Sequence, residues 1–294
     1  MKAKKDKERR FLQKKRVAWF FGIPGLIFVI IFGWYPLITG FYVSVSEISI
    51  FRPPEFVGLT NFKYFLDDYV FYTALRNVLY YSFLRIALTF LLPILVAILL
   101  MEMKKNVIRV MMILWFIPVA SMAGILIWRW FYDIDYGLLN GILCTLGLPT
   151  LRWLEDPRLA MLCLVLPGLI MYGPGLIYIA TIQSIPDELY EAAELEGAGL
   201  WQKIWHITLP RIRPIMAVML ILAIIGGMQI FSQPYILTEG GPARATYSVV
   251  MYIYDLGFQS YKYGLGTALA IILFFIIMAL VVLQRKLLPE NIDR

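Results

Sequence analysis

The sequence predicts an all-α, polytopic membrane protein with six transmembrane helices, and three observations carry that prediction. The 294 residues are 60% hydrophobic and only 16% charged, with a mean hydropathy of +0.73. Soluble globular chains are nearer half apolar and about a quarter charged, so the excess apolar surface here must face lipid. Six apolar stretches, 17–43, 73–101, 108–131, 159–182, 213–237 and 264–284, each meet the length of about 20 residues that a helix needs to cross the hydrocarbon. A helix is the expected form because it alone satisfies its backbone hydrogen bonds within one segment. The basic residues, finally, gather beside the ends of these stretches.

In chain order, residues 1–16 form a basic arm with nine lysines and arginines. The apolar run that follows is longer than the core of a cleavable signal, about 7–15 residues, and has no Ala-x-Ala end. It reads as an uncleaved first span with the N-terminus in the cytoplasm. The connections between spans two and three and between spans four and five, and the tail 285–294, are then also cytoplasmic. In this orientation 18 of the 27 Lys and Arg residues lie in the inside segments or, as Arg109 and Arg213 do, at the inner ends of spans, as the positive-inside rule requires. The formal charge of +7 is thus spent on topology, and its scatter gives no basic face for nucleic acid.

Three short loops lie outside. The first, 47–72, holds Arg52-Pro53-Pro54 and Gly58-Leu59-Thr60-Asn61, both with turn chemistry. The second, 132–158, carries Asp133, Asp135, Gly137 and Asn140, and the third contains Gly240-Gly241-Pro242. None is long enough for a separate domain, so residues 17–284 form one membrane domain.

Several function classes find no support. Cys144, in a predicted loop, and Cys163, inside an apolar run, do not suggest a disulfide framework, and His206 has no companion at metal-ligand spacing. Clustered nucleophiles, bases or metal ligands of an enzyme are missing. So is the Gly-x-x-x-x-Gly-Lys-Ser/Thr phosphate loop. Arg85 lies within the second span, where a charge must face protein or water; it reads as either a cavity-lining or a structural residue. Pro24, Pro36, Pro93, Pro118, Pro167 and Pro174 interrupt the spans and read as kinks or as gating bends.

Between spans four and five lies a polar island, 184–212. Ser184 with Asp187 resembles a capping box and Pro186 fits a first turn, so a helix is expected to start there. Asp187, Glu188 and Glu191 sit near its positive end. Ala192 and Ala193 leave a surface that a partner can approach closely. Gly197 and Gly199 permit a break, and a second helix is expected from Trp201 to Ile207, ended by Leu209-Pro210. Composition alone divides evenly between a force-transmitting elbow and an amphipathic interfacial linker.

This island resembles the cytoplasmic EAA loop of the permease subunits of binding-protein-dependent ABC importers. Glu191, Ala192, Ala193, Gly197, Ile207, Leu209 and Pro210 fall in the family register without insertion, and Glu196 replaces the usual Asp before the glycine. Phe116-Ile117-Pro118, Ile127-Trp128-Arg129-Trp130, Tyr136-Gly137-Leu138-Leu139-Asn140, Ile185-Pro186-Asp187-Glu188-Leu189-Tyr190 and Leu237-Thr238-Glu239-Gly240-Gly241-Pro242 extend the likeness to the sugar-type, maltose and oligosaccharide branch.

The resemblance implies the type I importer permease fold and a place in a bacterial-type inner membrane. It also implies partners: two cytoplasmic ATPases that carry ATP and Mg, a second and non-identical permease subunit, and an extracytoplasmic solute-binding protein. The seven loop residues would couple to the ATPase. In maltose-type relatives the helix after the elbow faces the pathway, which points here to Gly226, Gly227, Gln229 and Gln233, with Arg85 as a further lining residue. Gln229 and Gln233, four apart, would share a helical face and offer amides to sugar hydroxyls; helix packing by the same residues is the alternative. The competing functions are import of glycerol phosphate or another polar solute by the same machinery, and a stand-alone carrier or channel.

Overall fold

A computed structural model describes residues 19–20, 22–49, 52–101, 103, 105–116, 122–171 and 175–287. The basic arm 1–16 and most of the tail, 288–294, lie outside the described residues. Four described helices are long and apolar enough to cross a bilayer: Gly22–Ser44, Tyr69–Met101, Leu200–Leu237 and Tyr263–Leu287. The third and fourth expected spans are each found as a pair of shorter helices. Residues 117–121 and 172–174, with Pro118 and Pro174, lie between the members of each pair and outside the described residues.

The chain divides into two compact units. The first takes the residues up to Leu66 together with Asp255–Ile271. Its opening helix α1 (Gly22–Ser44) buries none of its most apolar window, as expected of a helix whose solvent is lipid. A π-helical turn, Ile30–Trp34, interrupts it and is closed by the Tyr35 N–H on the Ile30 carbonyl. Pro36 follows directly. A proline lacks its own N–H and crowds the carbonyl four residues back, and widening the turn relieves both problems.

Next come two antiparallel strands, β1 (Ser46–Ser49) and β2 (Arg52–Phe56), with Ser46 opposite Phe56 and Glu47 opposite Glu55. The turn expected at Arg52-Pro53-Pro54 is therefore strand. A two-stranded ribbon has only edge strands, and there a proline forfeits no ladder bond. Gly58, at φ 60°, makes the expected turn into α2 (Thr60–Tyr64). Buried Asn61 fastens this unit, its Nδ2 donating to the carbonyls of Ser44 (2.9 Å) and Ser46 (3.0 Å).

The second unit, Asp67–Tyr254 with Ile272 onward, begins with α3 (Tyr69–Thr89). Asp68 caps it, accepting from the Val70 N–H at 3.0 Å, and also receives the Tyr252 hydroxyl at 2.7 Å. The second span breaks at Phe90-Leu91 and resumes as α4 (Leu92–Met101), with Pro93 in its first turn. There follow α5 (Lys105–Phe116), α6 (Met122–Phe131), α7 (Leu138–Thr145), α8 (Ala160–Met171) and α9 (Leu176–Gln183). Cys144 thus lies in a short helix rather than a loop, and both cysteines are free.

Among the described residues, two cores are seen in this unit. One joins Ile94, Ala97 and Ile98 of α4 to Tyr178, Ile179 and Ile182 of α9. The other gathers Trp128, Tyr132 and Cys163, with Trp153 against it. The Tyr132 hydroxyl donates to the Cys163 carbonyl at 2.9 Å. Burial, with Cys163 as a second contribution, raises the Tyr132 phenol far above its ordinary pKa, so it stays a donor. Beside this core, Asn140 is 2% exposed and saturated: Nδ2 donates to the Ile134 and Leu151 carbonyls, while Oδ1 accepts from the Leu151 N–H and from Trp153 Nε1.

Candidate functional site

The polar island folds as a closed elbow. Its first arm, α10 (Asp187–Leu195), carries Asp187 and Glu188 in the first turn, where the positive helix end favours them. Ser184 does not form the expected capping box. Its hydroxyl donates back to the Thr181 carbonyl at 2.7 Å, closing α9, and Pro186 occupies the N-cap position instead.

The bend at the end of α10 is a Schellman motif. The Ala198 N–H reaches the Ala193 carbonyl (2.9 Å) and the Gly197 N–H reaches the Glu194 carbonyl (3.0 Å). Gly197 stands at the left-handed position with φ 81°. The second arm starts at once with α11 (Leu200–Lys203), whose Gln202 Oε1 reaches back to accept from the Gly199 N–H at 2.7 Å. Two side-chain bonds lock the arms together. Lys203 Nζ lies 2.8 Å from Glu194 Oε1, and the Tyr190 and Thr208 hydroxyls are 2.9 Å apart.

Leu209-Pro210 was expected to end the second arm, yet the helix runs through it. A π-helical turn, Ile204–Thr208, is closed by the Leu209 N–H on the Ile204 carbonyl, and α12 (Leu209–Met228) follows. Pro210 has the same effect here as Pro36: the wider turn absorbs its missing N–H. The elbow's second arm and the first part of the fifth span are therefore one continuous piece, Leu200–Met228. Ile204 and Ile212 are buried in the α4–α9 core, with Leu209 packed against it. The elbow is thereby packed directly into that core.

The outer surface of the elbow suits a protein partner. Glu191, Ala192 and Gly197 are exposed and Ala193 is half-buried. Around them Leu195 is 91%, Trp201 69% and Trp205 64% exposed. Large apolar side chains on a polar element mark an interaction surface.

The second group of expected residues is only partly brought together. Gly226 and Gly227 of α12 face α3: a Cβ on Gly226 would lie 3.1 Å from Arg85 Nη1, and one on Gly227 would lie 2.6 Å from Ser82 Oγ. Arg85 and the two glycines thus form one locus. Ser82, which sequence reasoning missed, joins it; its hydroxyl is buried with no hydrogen-bond partner among the described residues. Only a spacing from Arg85 of three residues, one helical turn, could have pointed to it. Gln229 and Gln233 do not share a helical face. The helix ends with Gln229 as its C-cap and restarts as α13 (Ser232–Leu237).

Comparison with known proteins follows the same lines. Residues 89–291 match the family described as "Binding-protein-dependent transport system inner membrane component". The chain is 34% identical to the probable ABC transporter permease protein YurN of Bacillus subtilis (strain 168), over 93% of this chain and 96% of that one. It is 32% identical to the arabinooligosaccharides transport system permease protein AraP of the same organism, over 94% and 90%. In structure it is similar to a chain of a bacterial alginate ABC transporter crystallised with an alginate pentasaccharide-bound periplasmic protein. The TM-score is 0.82, with 97% of this chain and 98% of that chain covered at 24% identity.

Proposed function

Because this chain belongs to the family of binding-protein-dependent transport system inner membrane components, we propose that it is the permease subunit of an ATP-driven ABC importer for sugars or oligosaccharides. The observation that carries this reading is the elbow itself: a locked helical bend with an exposed acidic and apolar face, continuous with a membrane-long helix. The name of AraP, a permease for arabinooligosaccharides, supports the substrate class.

In this reading the chain is a multi-pass inner-membrane protein with six spans and both termini in the cytoplasm. A cytoplasmic ATPase grips the elbow and supplies ATP and Mg, since this sequence has no phosphate loop. A second, non-identical permease completes the pathway, and a solute-binding protein docks on the outer loops. Glu191 pairs with a basic ATPase side chain, Ala192, Ala193 and Gly197 admit close approach, and Ile207, Leu209 and Pro210 join the grip to α12. Closure of the ATPases moves the elbow, and through Ile204 and Ile212 it moves the α4–α9 core, so that access alternates between the two sides. Arg85, Gly226 and Gly227 line the pathway, with Gln229 and Gln233 at the helix break beyond them.

Glu191→Lys in the reconstituted transporter tests the coupling. Losing a desolvated interfacial charge pair costs about 2–5 kcal/mol, so ATP-dependent uptake should collapse while the permease still folds. Intact ATP-coupled uptake in that variant would refute the role. Saccharide uptake by the chain reconstituted without any ATPase would refute the importer reading altogether.

A further inference from the structure

An open cavity of about 470 Å³ lies in the first unit, where the base of the hairpin, α2 and the first turn of α14 (Tyr263–Leu287) meet. Its volume falls within the range of small-ligand sites, roughly 300–1,000 Å³. The floor is rigid. Asn61 is held by its two carbonyl bonds, and a Cβ on Gly264 would strike the Ser46 carbonyl oxygen and lie 2.8 Å from Asn61 Nδ2. Only glycine lets that helical turn seat so closely.

The walls carry a mixed chemistry. Tyr64 and Tyr261 line the cavity and are both exposed, and so are Glu47 and Lys262. Tyr261 sits at φ 57°, a left-handed conformation that is uncommon for a bulky residue and that accumulates at binding sites. Two backbone bonds hold it there, Ser260 N–H to the Asp255 carbonyl (2.8 Å) and Lys262 N–H to the Leu256 carbonyl (2.7 Å). Glu47 and Lys262 form no ion pair with each other among the described residues. One acceptor and one donor of opposite charge are therefore both available to a ligand, with no excess of either sign.

We infer that this cavity binds a neutral saccharide unit, with a sugar ring against the tyrosines and its hydroxyls bonded to Glu47, Lys262 and Ser260. Tyrosine faces offer flat apolar surface to the C–H face of a pyranose or furanose, and the polar rim supplies both donors and acceptors for hydroxyl groups. A phosphate or carboxylate ligand would instead call for a surplus of cations. The inference rests on the proposed reading of the chain as a saccharide importer subunit. In the orientation proposed there, the cavity opens outside the membrane and adds a point of saccharide contact beyond the Arg85–Gly226 locus.

The test uses the full-length chain in lipid nanodiscs with maltotriose and arabinotriose as probes, read by saturation-transfer NMR. The wild type should show transfer to one of the two sugars. Tyr64→Ala with Tyr261→Gly, which keeps the left-handed backbone, should weaken that binding about tenfold, the scale of a lost aromatic contact. Tyr261→Phe, which keeps the ring, should retain most of it. Uptake of the same labelled sugars by the complete transporter is measured alongside. Wild-type uptake with equal binding in the double variant overturns the cavity alone. Neither uptake nor binding of any saccharide overturns the saccharide reading and the cavity together. Loss of binding-protein docking in the double variant, with sugar binding unchanged, makes the cavity a protein contact and also overturns the inference.

Discussion

Lys203 and Glu194 close the elbow across its bend, Nζ to Oε1 at 2.8 Å, with the lysine side chain 14% exposed and the glutamate side chain 61% exposed. The pair joins α10 to α11, so it fixes the angle between the face a partner grips and the helix that enters the membrane. Lys203→Met with Glu194→Gln in a double-mutant cycle should show a stability coupling of about 0.5–1 kcal/mol, as for partly exposed pairs. Its effect on ATP-coupled uptake should be larger than its effect on melting. Equal proportional losses in the two measurements would argue against a role in transmitting motion.

Gly197 has open space around its Cα but a φ of 81°. Gly197→Ala should therefore cost about 1–2 kcal/mol from backbone conformation alone. Gly197→Asn should recover part of that loss, because asparagine tolerates the left-handed region. Thermal unfolding in detergent compares the two directly; equal destabilisation by both would contradict a conformational cause.

Ser82 and Gly227 touch where α3 meets α12, and the Ser82 hydroxyl has no hydrogen-bond partner among the described residues. Gly227→Ala should push the helices apart and lower both melting temperature and uptake. Ser82→Gly added to it should restore much of the packing. Ser82→Ala alone removes an unpaired buried hydroxyl and should stabilise the protein by about 1 kcal/mol. If the hydroxyl faces the pathway in another conformation, the same variant will transport less while melting later.

Asn140 uses both ends of its amide to tie together Ile134, Leu151 and Trp153. Asn140→Ala leaves part-buried backbone and indole groups unpaired and should cost about 1–3 kcal/mol. The altered packing of Trp153 against Tyr132 should appear as a shift in tryptophan emission. An unshifted spectrum with a normal melting temperature would contradict the role assigned to the amide.

The membrane helices were legible because hydropathy over some 20 residues is a local, additive signal. The elbow was legible because glycines, a proline and an acidic first turn each impose a nearby conformation. Other parts were not. Arg52-Pro53-Pro54 has turn chemistry, and only pairing with Ser46–Ser49 makes it strand. Gln229 and Gln233 have helical spacing, but the chain breaks between them at Ile230-Phe231. Ser184 and Asp187 match a capping pattern, yet the serine hydroxyl found a carbonyl on the preceding turn.

The sequence by itself thus determined the membrane class and the glycine bend, and it placed Glu191, Ala192, Ala193 and Gly197 on an exposed bend between two apolar stretches. These follow from properties of single residues and their neighbours. Tertiary structure alone decided that Lys203 meets Glu194, that Tyr190 meets Thr208, that Ser82 and Arg85 lie against Gly227 and Gly226, and that Ile204 and Ile212 enter the core formed by α4 and α9. The physical reason is that packing contacts depend on which helix faces come together. No local pattern of hydropathy or turn chemistry specifies that choice.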